Sequence, residues 1–267
     1  MTKRPAEILG YAIDLFPFAK GVSNIERQCP FMHGRCTKTN ATCSVEHGKS
    51  VVAICPNRFL QSRLIFEEIA TNHFGTKDNI LVFSEVHSGD KSLGSFDYVM
   101  VKHKPLSDEV EDFVIVEFQT VDTTNTGALN TAVADFWADG EVSHYNFGLN
   151  WANVWKRCFI QILNKGRVLE QWGHKAYLVV QEPAYQHLLI SYGLKNSLTP
   201  GSESSTVFLV CDLALQGNQY SLYSSRIEST TVKKLQEAFI SNPHIPSLNK
   251  FVANLQQKAQ SAIKFRL

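Results

Sequence analysis

The chain has 267 residues, which is long enough for one large domain or for one domain with an appended module. Its composition, 44% hydrophobic and 19% charged, is that of an ordinary globular protein and excludes a disordered chain. No apolar run approaches the roughly 20 residues of a membrane-spanning helix. No signal-peptide pattern follows the N-terminus, so we expect a cytoplasmic protein with no membrane partner.

The net charge of +1 hides an uneven distribution along the chain. Residues 61–150 carry 15 acidic and 5 basic side chains, whereas the segments on either side are basic. An acidic centre between basic ends fits a divalent-metal site flanked by surfaces that meet phosphate. Solvated acidic loops and scattered lysines explain the same distribution, so charge alone does not decide between the two.

The N-terminal region combines one predicted helix with a cysteine-rich segment. The helix is predicted within residues 5–19, ending before Pro17. Four of the six cysteines follow, at Cys29, Cys36, Cys43 and Cys55. Four thiolates complete a tetrahedral site for zinc or iron, which would stabilise a loop-rich segment that buries little apolar surface. The spacings are wider than in ordinary zinc ribbons, so unrelated buried thiols are the alternative. Cys158 and Cys211 lie in apolar patterns and are expected in the core.

The middle of the chain predicts a regular alternation of elements. Apolar residues at helical spacing predict an amphipathic helix over residues 57–74. Three β-rich runs separated by polar turns follow it and predict an antiparallel meander, at 79–86, 95–102 and 112–121. Further helices and a buried strand are predicted at Thr126 to Trp137, Trp151 to Trp172 and Lys175 to Gln181. The C-terminal part predicts strands near 205–213 and 219–227 and helices near 229–241 and 247–263.

The order helix, three strands, helix, strand is the αβββαβ series that forms the common core of the PD-(D/E)xK nucleases. The predicted fold class is therefore α/β, with a mixed sheet of that kind and an N-terminal four-cysteine module. We predict three segments: residues 1–56 with the cysteine module, residues 57–182 as the nuclease core, and residues 183–267 as a C-terminal extension packed on the core.

Two acidic residues lie on the second and third strands of this series. Asp97 is on one, and Glu117 is on the next, two residues before Gln119. Alternate side chains of a strand share a face, so Glu117 and Gln119 point the same way while Phe118 points into the core. Carboxylate and carbonyl oxygens suit Mg²⁺, and the predicted ligands are Asp97, Glu117 and the main-chain carbonyl of Phe118. Glu85, at the end of the first strand, is a further candidate ligand.

The third catalytic position is unusual. In most nucleases of this kind a lysine two residues after the second acid steadies the attacking water, whereas here Gln119 holds that position. An amide orients water but adds no positive charge, so more of the electrostatic work would fall on metal. The alternative is that both acids are surface groups on half-buried strands.

The cysteine segment and the strand pair together resemble the NotI family of type II restriction endonucleases, which includes EagI-like enzymes. The matching stretches are Cys29-Pro-Phe, Cys36, Cys43, Cys55-Pro-Asn-Arg58, Ser95-Phe-Asp97, Val116-Glu-Phe-Gln-Thr120 with Asp122, and Asn153-Val-Trp-Lys-Arg157 with Gln161. They run in the family's order over roughly residues 29–165.

The resemblance implies a homodimeric enzyme that cuts double-stranded DNA at a GC-rich palindrome centred on GGCC by Mg²⁺-dependent hydrolysis, leaving 5′-phosphate ends. Asp97, Glu117 and Gln119 would fall on the family's catalytic positions. The four cysteines would fall on the ligands of a structural iron, for which zinc is the alternative. A cognate DNA methyltransferase is expected in the host.

Six further residues are candidate DNA contacts. Lys156, Arg157 and Gln161 follow the catalytic strands on one helix and suit phosphates, although the two basic ones could instead lie along the tryptophans. Arg27, Arg35 and Arg58 lie among the cysteines, and an arginine fork suits guanine edges.

Two alternative functions remain. A RecB-like exonuclease with an iron–sulphur cluster also combines four cysteines with this core, but its cysteines flank the core and its motif keeps lysine. A non-catalytic, zinc-stapled DNA-binding protein would need neither Asp97 nor Glu117.

Overall fold

The computed structural model describes residues 3–16, 27–38, 40–89, 93–142, 144–241 and 247–261. The strands of these residues are β1 Lys3–Ile8, β2 Tyr11–Ala12, β3 Thr42–His47, β4 Ser50–Ala53, β5 Ile80–His87, β6 Ser95–His103, β7 Val110–Gln119, β8 Thr123–Thr124, β9 Gly148–Leu149, β10 Lys175–Gln181, β11 Thr199–Pro200, β12 Thr206–Gln216 and β13 Gln219–Thr230. The α-helices are α1 Leu64–Ile69, α2 Thr126–Asp139, α3 Trp151–Gln161, α4 Arg167–Trp172, α5 Glu182–Tyr192, α6 Val232–Ile240 and α7 Leu248–Ser261.

One large mixed sheet organises the described part of the chain. Its strand order is β4-β3-β1-β2-β13-β12-β10-β7-β6-β5, with β11 added beside β13. The strands β5, β6 and β7 are antiparallel neighbours, whereas β10 runs parallel to both β7 and β12. The chain is therefore a mixed α/β protein, and β7 lies inside the sheet between β6 and β10.

The predicted helix-strand series is present in the order expected. The three predicted strands of the meander correspond to β5, β6 and β7, and the buried strand at 175–181 corresponds to β10. The helices near 126–137 and 151–172 are also confirmed. All three predicted segments contribute strands to the same sheet, and their boundaries stay predictions.

Both faces of the central strands are covered, which explains their continuous apolar sequences. On one face, Leu178 of β10 packs with Trp155 of α3. On the other face, Tyr177 of β10 packs with Ile65 of α1. All four side chains are buried, so β10 is held between two layers of helices. Cys158 and Cys211 are buried in these two cores, as predicted.

The helix that crosses the β7 face is a long element with an irregular centre. The side chain of Asn150 accepts a hydrogen bond from the Asn153 N–H, which caps the start of α3. The helix then passes through a π-helical turn, Ile162–Gly166, before continuing as α4. It ends at Gly173, whose φ of 75° is the left-handed conformation that favours glycine.

Two predicted helices are corrected by the structure. Residues 5–16, the described part of the first prediction, contain no α-helix, because β1 pairs with β3 and a short 3₁₀ turn, Ile13–Leu15, follows; residues 17–19 lie outside the described residues. The helix predicted over 57–74 is broken: 3₁₀ turns cover Pro56–Arg63, and Ser62 and Arg63 have positive φ before α1 begins. The hairpin of β3 and β4 and the helix α5 were not predicted.

Candidate active site

Asp97 and Glu117 lie side by side on two hydrogen-bonded strands. The antiparallel register pairs Tyr98 with Val116, which places Asp97 of β6 opposite Glu117 of β7 on the same face of the sheet. The Asp97 carboxylate also accepts a hydrogen bond of 2.9 Å from the main-chain N–H of Phe118. The fold thus brings together the two carboxylates that the sequence predicts as a pair.

Glu117 is buried, and both oxygens of its carboxylate accept hydrogen bonds. Its side chain is almost completely buried, and its Oε2 atom accepts a hydrogen bond of 2.8 Å from the side-chain nitrogen of Gln161. Burial and the negative charge of Asp97 together raise the pKa of Glu117 to about 7, against the attraction of Lys165. A carboxylate with this environment is typical of a functional site.

Gln119 shares a partner with Glu117. Its side-chain nitrogen donates to the side-chain oxygen of Gln161 over 2.7 Å. Gln161 lies on α3, so one residue of the covering helix orients two residues of the strand. Phe118, between them, packs on the opposite face with Phe59 at a ring-centroid distance of 5.4 Å, as the alternation predicts.

Lys165 is a member of this group that the sequence analysis missed. Its ammonium lies 2.7 Å from Oε1 of Glu117 and donates to the main-chain carbonyl of Ser95, also at 2.7 Å. Its side chain is only 11% exposed. The available signal was its position four residues after Gln161 on one helix, because residues at that spacing share a helix face.

An open cleft of ≈ 560 Å³ lies against these residues. Asp97 and Gln119 line it, together with Glu85, Arg157 and Gln161. The side of the cleft nearest the N-terminal region is formed by residues beside the cysteines, among them Met32, Pro56 and Asn57. The cleft therefore exposes Asp97 of the carboxylate pair to solvent and borders the cysteine-bearing segment, whereas Glu117 is buried beside it.

Glu85 lies at an irregular point of the edge strand. The pairing of β5 with β6 matches Ser84 with Tyr98 and Val86 with Phe96, so Glu85 stands beside Asp97 without a regular pair. Its φ is 52°, a left-handed backbone conformation that residues other than glycine rarely adopt. Glu85 is exposed and lines the cleft, and its role as a metal ligand stays a prediction.

Most of the predicted DNA contacts are on accessible surface. Lys156 is exposed on α3. Arg157, whose side chain is 48% exposed, donates to the main-chain carbonyl of Thr120 over 3.1 Å and lies 3.4 Å from Asp122. Arg35 is exposed, and Arg27 is partly buried. The structure thus leaves these residues as candidates.

Arg58 is in a different position. Its side chain is fully buried, and its Nε atom lies 3.0 Å from Oε2 of Glu7, which is also fully buried. It further donates to the side chain of Gln61 at 2.9 Å and to the main-chain carbonyl of Tyr220 at 2.5 Å. A fully buried guanidinium whose three nitrogens are all bonded inside the protein is poorly placed to reach a base edge, so the structure argues against a DNA contact by Arg58, which stays an untested prediction.

The four cysteines lie in one region of the fold. The bridge between Gln28 and Arg35 brings Cys29 and Cys36 to the two arms of a short hairpin. Cys43 lies on β3 and Cys55 follows β4, which is paired with β3. Burial raises the pKa of the Cys55 thiol, and the charges of Cys29 and Cys36 act in the same direction.

However, the predicted metal centre is not assembled. Within the described ranges, which include all four cysteines, no group of three or more His, Cys, Asp or Glu side chains is placed to hold a metal ion. Cys43 and Cys55 are buried, whereas Cys29 and Cys36 are partly exposed. The four-cysteine centre therefore stays a prediction.

Comparison with known proteins identifies the family. The sequence model described as "Restriction endonuclease NotI" matches residues 7–222, which is most of the chain and includes Asp97, Glu117 and Gln119. No curated protein sequence matches the chain. In the described part of the chain, no helix has the length and apolar character needed to cross a bilayer. The chain belongs to the NotI restriction endonuclease family and is a type II site-specific deoxyribonuclease, an enzyme that binds and cuts DNA.

Proposed function

We propose that this restriction endonuclease is a Mg²⁺-dependent enzyme of the PD-(D/E)xK type. The observation that carries the proposal is the pairing of Asp97 with Glu117 on adjacent strands, with Gln161 joining Glu117 to Gln119. The order of elements and the parallel pairing of β10 with β7 are those expected of an αβββαβ core. The three proposed catalytic residues are Asp97, Glu117 and Gln119.

The residues fit a hard divalent cation. Two carboxylates on neighbouring strands repel each other, and this repulsion contributes to the raised pKa of Glu117. Mg²⁺ is commonly held by one or two carboxylates together with substrate phosphates, so a third carboxylate is not required. Asp97 and Glu117 would hold the ion, with the main-chain carbonyl of Phe118 and, as a further candidate, Glu85.

The chemistry divides between the ion and the chain. When bound, Mg²⁺ lowers the pKa of its water and offsets the negative charge of the phosphate. Gln119 faces the cleft and donates a hydrogen bond that orients water or a phosphate oxygen, without adding charge. Attack of water on phosphorus breaks the bond to the 3′-oxygen, so the phosphate stays on the 5′ end. Gln161 keeps Glu117 and Gln119 in register by bonding to both.

The expected substrate is double-stranded DNA with a GC-rich palindrome centred on GGCC. A two-fold symmetric site suits a two-fold symmetric enzyme, so we propose a homodimer, which sedimentation in solution would test. A cognate methyltransferase in the host would protect the same sites, and the cytoplasm is the expected compartment. Methylation of the substrate should then block cleavage.

For the cysteine segment we propose a structural iron or zinc ion held by Cys29, Cys36, Cys43 and Cys55. The support is the chemistry of the donors, because thiolates select these metals, and the nearness of Cys55 to Cys29 and Cys36, whose charges act on it. Metal analysis of the native protein should find about one ion per chain, and Cys55→Ser should lose it. A four-thiolate iron site is coloured, whereas a zinc site is not.

The test of the nuclease proposal uses purified protein, plasmid DNA rich in GGCC-centred palindromes, and Mg²⁺. We expect discrete fragments whose sequenced ends share one motif. Glu117→Ala should abolish cleavage while keeping DNA binding in Ca²⁺. Glu111→Ala, which removes a more exposed acid from the same strand, should cleave normally. Absence of discrete fragments, or undiminished cleavage by Glu117→Ala, would contradict the proposal.

The two alternative functions are less well supported. Membership of a restriction endonuclease family argues against a non-catalytic DNA-binding protein. A RecB-like exonuclease would carry lysine at the position of Gln119 and cysteines on both sides of the core. Here all four cysteines precede β5, the first strand of that core.

A further inference from the structure

A positive charge is present at the candidate active site although the catalytic strand supplies none. Gln119 occupies the position at which related nucleases carry lysine. The ammonium of Lys165, from the covering helix, instead lies 2.7 Å from Glu117 and 5.2 Å from the ring centroid of Phe96. Both oxygens of Glu117 are thus engaged by that helix, one by Lys165 and one by Gln161.

The helix geometry directs Lys165 to the sheet. Lys165 lies within the π-helical turn Ile162–Gly166, and such turns occur frequently at functional sites. Gly166 follows it, and a Cβ atom at this position would lie 3.1 Å from Cγ2 of Val232. The same atom would lie 3.6 Å from Oγ1 of Thr206 on β12, so the absence of a side chain lets the helix lie close to the sheet. There the Lys165 ammonium meets the Glu117 carboxylate and the carbonyl of Ser95.

Arg157 is a second cation near the carboxylate pair, but it does not occupy the same place. It lines the open cleft, is bound to Thr120 and Asp122 and is about half exposed, whereas Lys165 lies with Glu117 in a separate small pocket. Among the described residues, Lys165 is the basic residue that forms an ion pair with Glu117. A buried ion pair gives little net stability compared with apolar residues of similar size, so stability alone is a weak reason for a lysine here.

We propose that Lys165 supplies the positive charge that Gln119 cannot supply, and that it is a positioning residue acting through Glu117. It holds the Glu117 carboxylate in the orientation needed beside Asp97 and places a positive charge next to the proposed metal ligands. The inference rests on the proposed function. It also has a consequence independent of cleavage: Lys165 competes with a divalent ion for the same carboxylate, since like charges repel more strongly at a buried site than in bulk water.

The test compares Lys165→Gln, which removes the charge but keeps a donor for Ser95, with wild type. We expect Lys165→Gln to bind Ca²⁺ alone about tenfold more tightly, measured by calorimetry without DNA, because a repelling charge is gone. Its single-turnover cleavage rate in Mg²⁺ should fall by about 10²-fold, with little change in DNA affinity. Tighter metal binding combined with slower cleavage is not expected of a residue that only stabilises the fold.

Two further variants serve as controls. Lys165→Arg keeps the charge and should recover cleavage to within about tenfold of wild type and leave Ca²⁺ affinity nearly unchanged. Lys77→Met removes a lysine from an exposed ion pair with Glu67 and should change neither quantity. If Lys165→Gln does not fold, Lys165→Met takes its place. Failure of both to fold would assign Lys165 to stability and overturn the inference.

The outcomes separate the two proposals. Cleavage by Lys165→Gln within a few-fold of wild type, or unchanged Ca²⁺ affinity, would overturn the role of Lys165 while leaving Glu117→Ala inactive. Undiminished cleavage by Glu117→Ala would instead remove the proposed function itself, whatever Lys165→Gln does.

Discussion

Gln161 donates a hydrogen bond of 2.8 Å from its side-chain nitrogen to Oε2 of Glu117. Its side-chain oxygen accepts a second hydrogen bond, of 2.7 Å, from Gln119. A primary amide both donates and accepts, which a carboxylate or an ammonium cannot do at once. Gln161 is therefore the side chain through which the covering helix sets the orientation of two proposed catalytic residues.

The first prediction concerns this link. Gln161→Leu would leave the amide of Gln119 and one oxygen of Glu117 without their partner in a buried site, which should cost about 1–3 kcal/mol of unfolding free energy. Misplacement of the two side chains should reduce the single-turnover cleavage rate by about 10²-fold. Gln186→Leu is the matched control. Gln186 lies on α5, away from the candidate site, and its side chain donates a hydrogen bond of 2.7 Å to Glu182 of the same helix. Wild-type cleavage by Gln161→Leu would contradict the positioning role.

A second prediction follows from the raised pKa of Glu117. In the folded protein this pKa is about 7, whereas its ordinary value is 4.5. Between these values the folded state binds more protons than the unfolded state, so the unfolding free energy falls as pH rises. This loss of unfolding free energy is absent below about pH 4.5 and is complete above about pH 7, where it amounts to about 3 kcal/mol.

Glu117→Gln removes this titration, since glutamine resembles the protonated acid. In EDTA, the variant should gain about 3 kcal/mol of stability relative to wild type as the pH is raised from about 4.5 to 8, measured by denaturant unfolding. The attraction of Lys165 is already included in the pKa, so it does not cancel the effect. A stability difference that is the same at both pH values would contradict the prediction.

The third prediction separates structure from recognition at Arg58. Arg58→Met would leave the buried carboxylate of Glu7 without its cation, which should destabilise the protein by about 3–5 kcal/mol. Burial already raises the pKa of Glu7, against the charge of Arg58. The double variant Glu7→Gln with Arg58→Met should recover part of the lost stability. A stable Arg58→Met with altered base preference would instead restore the role that the sequence predicts.

The fourth prediction concerns Arg157. Because it lines the cleft and is half exposed, Arg157→Ala should weaken DNA binding similarly for cognate and unrelated sequences. The slope of log affinity against log salt concentration should fall by about 1, since one phosphate contact is lost. Binding is measured in Ca²⁺ to prevent cleavage. Arg226→Ala, which breaks an ion pair with Glu182 at 2.5 Å, is the control and should leave the slope unchanged. A loss confined to one base position would show that Arg157 reads sequence instead.

The elements nearest the candidate site were predictable because their signals are local. The strands β6, β7 and β10 have apolar sequences because one or both of their faces are buried. Their observed ends agree with the predicted ends within about two residues. The N-terminal strands were missed for a physical reason. The strand β1 forms through pairing with β3, some forty residues further along the chain, and its own residues carry an ambiguous apolar pattern.

By itself, the sequence determined the order of the strands β5, β6, β7 and β10 and of the helices between them, the shared face of Glu117 and Gln119, and the family. These depend on periodicities of neighbouring residues and on motifs in chain order. Only the tertiary structure decided which charges are buried together. Arg58 is enclosed because it meets Glu7, 51 residues away, and Lys165 reaches Glu117 across 48 residues. Such partners are set by how the layers pack, which no local pattern records. The sequence therefore predicted the carboxylate pair. The lysine beside the pair could be identified only from the packing of the helix on the sheet.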